Sequence, residues 1–247
     1  MGMMHSEHLV EASPLDAEGE RLYARLLEDP RAEHVTDRRL RRIVEVAQRR
    51  LGTVTVVLEN LFDPHNASAV VRTAEGFGLD AVHVVEQPNR FQPARAIVRG
   101  ADRWLQIRKH KGLAACIGGL EARGFLVCAA DVGEGCVRLE DIPVDRPVAL
   151  VFGSEHDGLS KRAKGLCEAR FTIPMAGFTG SFNVSVSAAI AVHDVARRRR
   201  ALLGGSGDLT EEERLARVEA WLEKSAGRRP PRARGGLRRL VEGDARE

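Results

Sequence analysis

Apolar positions in the middle of the chain fall into short continuous runs separated by stretches of helical spacing. Val54–Leu58, Ala81–Val85, Phe125–Ala130 and Val148–Phe152 are runs of strand length, rich in valine. Trp104–Ile107 and Phe171–Ile173 read as shorter strands. Between them the spacing predicts helices from Asn66 to about Phe77, over Leu113–Arg123 and Ser160–Glu168, and from near Asn183 to about Leu203. Asn66 sits near the start of the first, and Gly76 and Gly78 near its end. Strands alternating with helices predict an α/β domain with a mostly parallel sheet over roughly residues 52–203. Ligands of such sheets bind beyond the carboxyl ends of the strands.

The flanks carry a different pattern. Residues 1–34 are polar and acidic-leaning, with a weak helical pattern through Leu22, Leu26 and Leu27, and are expected to be mobile or loosely docked. Residues 35–51 read as a basic helix with Thr36 as N-cap and a stripe of Leu40, Ile43, Val44 and Ala47. Its other face holds Arg38, Arg39, Arg41, Arg42, Arg49 and Arg50. That face is either solvated or turned to phosphates. Residues 204–247 start with the flexible break Gly204-Gly205-Ser206-Gly207. Thr210 and Glu213 then make a capping box for a helix striped by Leu215, Val218 and Leu222, with Trp221 beside the stripe. The tail from Ser225 to Leu240 holds Arg228, Arg229, Arg232, Arg234, Arg238 and Arg239 and no acid. It is a solvated end or an RNA arm.

Composition narrows the function classes. In 247 residues, 38 Lys and Arg face 35 Asp and Glu, so a net charge of +3 names no polyanionic partner by itself. An aromatic content of 4% speaks against a platform that stacks single-stranded bases. No run of about 18 apolar residues exists to span a membrane. The N-terminal segment, with His5 and Glu7, lacks an apolar signal core, so a cytoplasmic location is expected. Cys116, Cys128, Cys136 and Cys167 form no C-x-x-C pair; they are read as reduced thiols, Cys128 buried in a strand, and no metal is expected.

Three segments dense in polar or glycine residues follow predicted strands: 59–68 leading to Arg72, 152–160, and 173–185. Any single polar residue in them reads first as turn or cap chemistry, since Asn66, Ser160 and Asn183 all stand where an N-cap belongs. Three such segments at one sheet end point to a shared site. Familiar alternatives fail on spacing. Gly133-Glu134-Gly135 lacks the third glycine of a dinucleotide fingerprint, no P-loop motif exists, and Ser154 lies outside a nucleophile elbow. His193 lies in a helix of small and apolar residues and reads as structural.

At these segments the chain resembles the SpoU branch of the SPOUT RNA methyltransferases. The matching motifs are the stretch from Asn60 to Arg72 with P-H-N-A-S-A-V-V-R-T at 64–73, L-V-F-G-S-E-H-D-G-L-S at 150–160, and I-P-M-A-G-F-T-G-S-F-N-V-S-V-S-A-A-I at 173–190. The resemblance covers roughly residues 38–203. Within the branch the chain is most similar to the tRNA (guanosine-18) 2′-O-methyltransferase subfamily, by its short Arg-rich helix before the core, its basic C-terminal extension and the segment G-A-D-R-W-L at 100–105. It departs at Phe182, where the family commonly has leucine, and a larger ring there is expected to reshape the pocket wall.

The resemblance implies a C-terminal trefoil knot, a homodimer with the site near the subunit interface, and S-adenosylmethionine as cofactor, held by backbone groups around Ala130, Gly153, Ile173 and Phe182. It places Arg72 at the ribose hydroxyl and has Asn66 orient Arg72 or its loop. Glu155 would hold the second loop, and Ser181 and Asn183 would shape the pocket and its RNA-facing wall. The substrate implied is tRNA, gripped through Arg38, Arg39, Arg41, Arg42, Arg228 and Arg229. Competing readings are a ribosomal-RNA methyltransferase of the same chemistry, a catalytically silent RNA-binding module and, more weakly, an α/β hydrolase.

Overall fold

The computed structural model describes residues 14–61, 63–86, 90–154, 158–205 and 207–227. The described chain divides into two compact units, residues 46–214 and a second made of residues 14–45 with 215–227.

The larger unit is a seven-stranded sheet: β1 (Val54–Glu59), β2 (Ala81–Val85), β3 (Gln106–His110), β4 (Leu126–Ala130), β5 (Val137–Arg138), β6 (Val148–Phe152) and β7 (Ala169–Thr172). Every ladder is parallel and the order is β3-β2-β1-β6-β4-β7-β5. The helices of this unit are α3 (Pro64–Gly76), α4 (Arg95–Val98), α5 (Leu113–Glu121), α6 (Lys161–Leu166) and α7 (Val184–Leu203). Both sheet faces are covered, and the period-two alternation of strands sorts the core in two. Val54, Val56 and Leu58 with Val148, Leu150 and Phe152 pack in the cluster that holds Val70 of α3 and Val192 of α7. Val57, Ala149 and Val151 face the other way, onto Leu113, Ile117 and Leu120 of α5 and Ala163 of α6. Burial on both faces is what makes central parallel strands read as unbroken apolar runs. Each such buried Val or Leu contributes about 1.5–3 kcal/mol.

The differences from expectation lie at the edges. The strand expected at Trp104–Ile107 runs instead over Gln106–His110, after a 3-10 turn at Ala101–Arg103. Only partly buried, this edge strand carries Arg108, Lys109 and His110 and so lacks an apolar signature. The two-residue β5 is exposed and the sequence reading missed it, as it missed α4. Helix α3 begins two residues before Asn66, because Asp63 is its N-cap, accepting from the His65 N–H at 2.8 Å, and Pro64 fills the first turn. Asn66 is therefore not a cap.

Arginines fasten the larger unit from inside. Arg50 is fully buried; its guanidinium meets Glu75 Oε1 at 2.9 Å and donates to the Leu79 carbonyl at 2.7 Å. It belongs to the core and leaves the set of phosphate-facing arginines. Arg199, also buried, donates to Thr53 Oγ1 and the Val144 carbonyl. Asp208 holds the segment after α7, accepting from the Gly52 N–H at 2.6 Å and from the Thr53 hydroxyl.

The smaller unit contains α1 (Ala17–Leu27), most of α2 (Asp37–Gln48) and α8 (Glu211–Ala226) from Leu215 onward. Residues 14–34 depart from the loosely docked extension expected of them. Asp16 caps α1, and Tyr23, Leu26 and Ala32 are buried, Tyr23 and Leu26 at helical spacing. Tyr23 donates to Asp37, and the Arg41 guanidinium lies 4.3 Å from the Tyr23 ring centroid. Val218, Trp221 and Leu222 of α8 are buried too. The capping box forms as expected, Thr210 N–H to Glu213 Oε2 at 3.0 Å and Glu213 N–H to Thr210 Oγ1 at 3.2 Å. No helix among the described residues is long and apolar enough to cross a membrane.

Candidate active site

The three loop segments meet beyond the carboxyl ends of β1, β6 and β7. Two side-chain ties join them. Glu59, the last residue of β1, accepts from the Ser160 N–H at 3.0 Å and the Ser160 hydroxyl at 2.7 Å. Ser160 in turn caps α6, its Oγ accepting from the Ala163 N–H at 3.0 Å. This links the first segment to the second across about a hundred residues of chain. Asn183 caps α7, with Oδ1 accepting from the Ser185 N–H at 2.8 Å. Its amide donates to Asn66 Oδ1 on α3 at 3.1 Å, linking the first segment to the third.

The second segment folds back on itself. Ser154 and Gly158 exchange backbone hydrogen bonds of 3.1 and 3.0 Å. Gly153 lies so close to that return that a β-carbon there would stand 2.2 Å from the Gly158 carbonyl oxygen. Only glycine fits, and Gly158 itself has φ +66°, a left-handed conformation that glycine adopts without strain.

Beside these loops lies a cavity of about 160 Å³ lined by the ends of β4, β6 and β7 and by the third segment. Ala130, Gly153, Ile173 and Phe182, the residues expected to hold the cofactor, all line it, and so does Ser181. Phe152, Phe171 and Val184 add apolar wall. At its polar edge stands Asp131, a lining residue absent from the sequence reading. Its carboxylate takes an ion pair from Lys164 at 2.7 Å and another from Arg170 at 3.3 Å, and accepts from the Val132 N–H at 2.9 Å. Burial by itself would raise the pKa of Asp131, but Lys164, the Val132 N–H and Arg170 outweigh it and hold the carboxyl below its ordinary value. Arg170 also donates to the Glu134 carbonyl at 3.0 Å, so the same network pins the loop after β4.

Among the described residues, other expected ones stand apart from the cavity wall. Arg72 is exposed on α3, and its side chain makes no hydrogen bond or ion pair to another described residue. Asn66 and Asn183 pair with each other at the N-terminal ends of α3 and α7. Glu155, Arg228 and Arg229 lie outside the described residues. On α2, Arg38, Arg39 and Arg41 are exposed; Arg41 pairs with Glu20 at 3.3 Å, and Arg42 with Glu45 at 2.7 Å. Glu59, which ties two loops, was within a named segment without a role, because a tie to Ser160 has no signature in spacing.

Comparison with known proteins agrees with this layout. Residues 53–193 match the SpoU rRNA Methylase family. The chain is 34% identical over 166 residues to the tRNA (guanosine(18)-2'-O)-methyltransferase of Borreliella burgdorferi, covering 67% of this chain and 76% of that protein. It is 35% identical over 164 residues to the enzyme of the same name from Thermus thermophilus, covering 66% and 84%. Among solved structures, the TrmH/SpoU tRNA modifying enzyme of A. aeolicus superposes with a TM-score of 0.69 at 27% identity, over 77% of this chain and 96% of that one. With the matched segment spanning more than half of its length and holding all three tied loops, the chain belongs to the SpoU methylase family.

Proposed function

We propose that the chain transfers a methyl group from S-adenosylmethionine to a ribose 2′-hydroxyl of tRNA, with guanosine 18 as the target. The observation that carries this is the cavity lined by Ala130, Gly153, Ile173 and Phe182, walled by loops that Glu59–Ser160 and Asn66–Asn183 tie together. The names of the most similar relatives support the tRNA address.

The residues fit the cofactor. Adenine asks for apolar walls and backbone hydrogen-bonding groups. Phe152, Phe171, Ile173 and Val184 supply the first, and the backbone of Gly153, which also lines the cavity, is assigned the second. S-adenosylmethionine, when bound, supplies an electrophilic methyl on a sulfonium. The protein must hold the attacking oxygen in line with it, which is a positioning task. Arg72 is assigned to the ribose hydroxyl. An arginine is not deprotonated in proteins, so its role is to stabilise the developing oxyanion while water or phosphate takes the proton. Asn66 holds the start of α3 against Asn183, Ser181 completes the wall, and Glu155 is assigned to holding the second loop.

The active form is assigned as a homodimer with its site near the subunit interface. Support comes from apolar side chains left exposed on and beside α7: Phe178, Phe182, Val186 and Ile190. The trefoil knot is part of the same reading. In the order β6-β4-β7-β5 no two strands consecutive in sequence are neighbours, as interleaved threading requires. Arg38, Arg39, Arg41 and Arg42, with Arg228 and Arg229, are proposed to meet tRNA phosphates, in a cytoplasmic enzyme.

The test is methylation of unfractionated tRNA and of ribosomal RNA with labelled cofactor, followed by mapping of the 2′-O-methyl group. Label at guanosine 18 of tRNA is the expected result. Label confined to ribosomal RNA would replace the address and keep the chemistry, and no transfer to either would overturn the proposal.

A further inference from the structure

We propose that His83, His110 and Cys116 form a binding site for a borderline-soft transition-metal ion of the zinc class, separate from the methyl-transfer site. Sequence spacing gave no reason to expect a metal; sheet register brings the donors together. His83 on β2 is in register with Arg108 on β3, so side-chain alternation puts His83, Arg108 and His110 on one sheet face. Helix α5 covers that face and carries Cys116. His83 Nδ1 stands 2.9 Å from His110 Nε2 and 3.7 Å from Cys116 Sγ, and the three donor atoms lie within 4.8 Å of one another. Donors around a tetrahedral zinc are about 3.3–3.6 Å apart, from bond lengths near 2.0 Å to nitrogen and 2.3 Å to sulfur. The imidazoles, whose planes differ by 9°, must part by about half an ångström and tilt for their lone pairs to share one ion. Partly buried His110, at the end of β3, is the more exposed of the two rings and so the one assigned to move.

Two histidines and one cysteine are a borderline-soft donor set, suited to zinc rather than magnesium or calcium. Three protein ligands leave a fourth position for water. A neutral imidazole offers one lone pair and one N–H, so the His83–His110 contact of 2.9 Å gives way to two nitrogen lone pairs turned to one ion once the tautomers are set for it. Metal binding displaces the Cys116 thiol proton to solvent, and the resulting thiolate offsets one positive charge. Arg108 and Arg123 oppose a cation here, so a hard ion held by charge alone gains little, whereas zinc gains from covalent character to sulfur.

The full-length protein, stripped with chelator, is titrated with Zn(II) by calorimetry and with Co(II) by absorbance. One equivalent of each is expected to bind, Co(II) giving a thiolate charge-transfer band. Cys116→Ser is expected to abolish the band and weaken zinc binding at least about tenfold, and His110→Gln to weaken it comparably. Cys136→Ser should change neither, and circular dichroism checks that each variant is folded. Absence of stoichiometric binding, a band that survives Cys116→Ser, or zinc affinity unchanged in both ligand variants would overturn the site.

Discussion

Asn183 faces two ways: its Oδ1 caps α7 by accepting from the Ser185 N–H, and its amide donates to Asn66 Oδ1, 3.1 Å away on α3. One side chain thus begins a helix and locks the third loop to the first. Serine caps helices as well as asparagine does but is too short to reach Asn66. Asn183→Ser is expected to change unfolding free energy by less than about 0.5 kcal/mol. It should slow single-turnover methyl transfer at least about tenfold, because small misplacements of an aligned site are costly. Urea denaturation beside rapid-quench kinetics separates the two effects.

The arginines of α2 and its C-terminal edge divide by burial. Arg50 is fully enclosed with Glu75 and the Leu79 carbonyl, whereas Arg38 and Arg39 are exposed. Arg50→Ala leaves the partly buried Glu75 and an enclosed carbonyl without their partner and is expected to cost about 3–5 kcal/mol of stability. The double variant Arg38→Ala, Arg39→Ala should leave stability within about 0.5 kcal/mol. It should flatten the log–log salt dependence of tRNA binding by about 1.4–1.8 units, if each arginine neutralises one phosphate. Thermal melts and filter binding at several salt concentrations give both answers.

The buried imidazole of His83 makes stability depend on pH. Its pKa is held down at about 3 against an ordinary 6.5, first by burial and then by the field of His110, Arg108 and Arg123. Between those values the unfolded chain binds a proton that the folded chain refuses, so the stabilising contribution is complete above pH 6.5 and is lost as pH falls toward 3. The metal-free protein is expected to lose up to about 1.4 kcal/mol per pH unit in that window from this group. Denaturation at pH 7, 6 and 5 should show the slope, and His83→Gln should reduce it. A slope unchanged in a folded His83→Gln protein would assign it elsewhere.

How much of this was legible in the sequence follows from where each element lies. Strands β1, β2 and β6 are buried on both faces, so their apolar runs stood out with bounds correct to one residue. Edge strands β3 and β5 carry too little apolar surface to announce themselves. Asn66 looked like a cap because asparagine favours that position, yet Asp63 with Pro64 is the stronger start. Arg50 was grouped with its neighbours by charge, which does not report burial. Ala130, Gly153, Ile173 and Phe182 came from motif resemblance, and the fold gathers them around one cavity. The ties Glu59–Ser160 and Asn66–Asn183, and the cluster of His83, His110 and Cys116, join residues whose only link is sheet register and loop return.

The tied loops are proposed to form one methyl-transfer site with Arg72 at the ribose hydroxyl. Single-turnover transfer to tRNA by Arg72→Ala, with S-adenosylmethionine affinity measured on the same protein, tests it most directly. A loss of at least about a hundredfold at unchanged cofactor affinity is expected. Transfer within about tenfold of wild type, with the cofactor bound equally well, would contradict it.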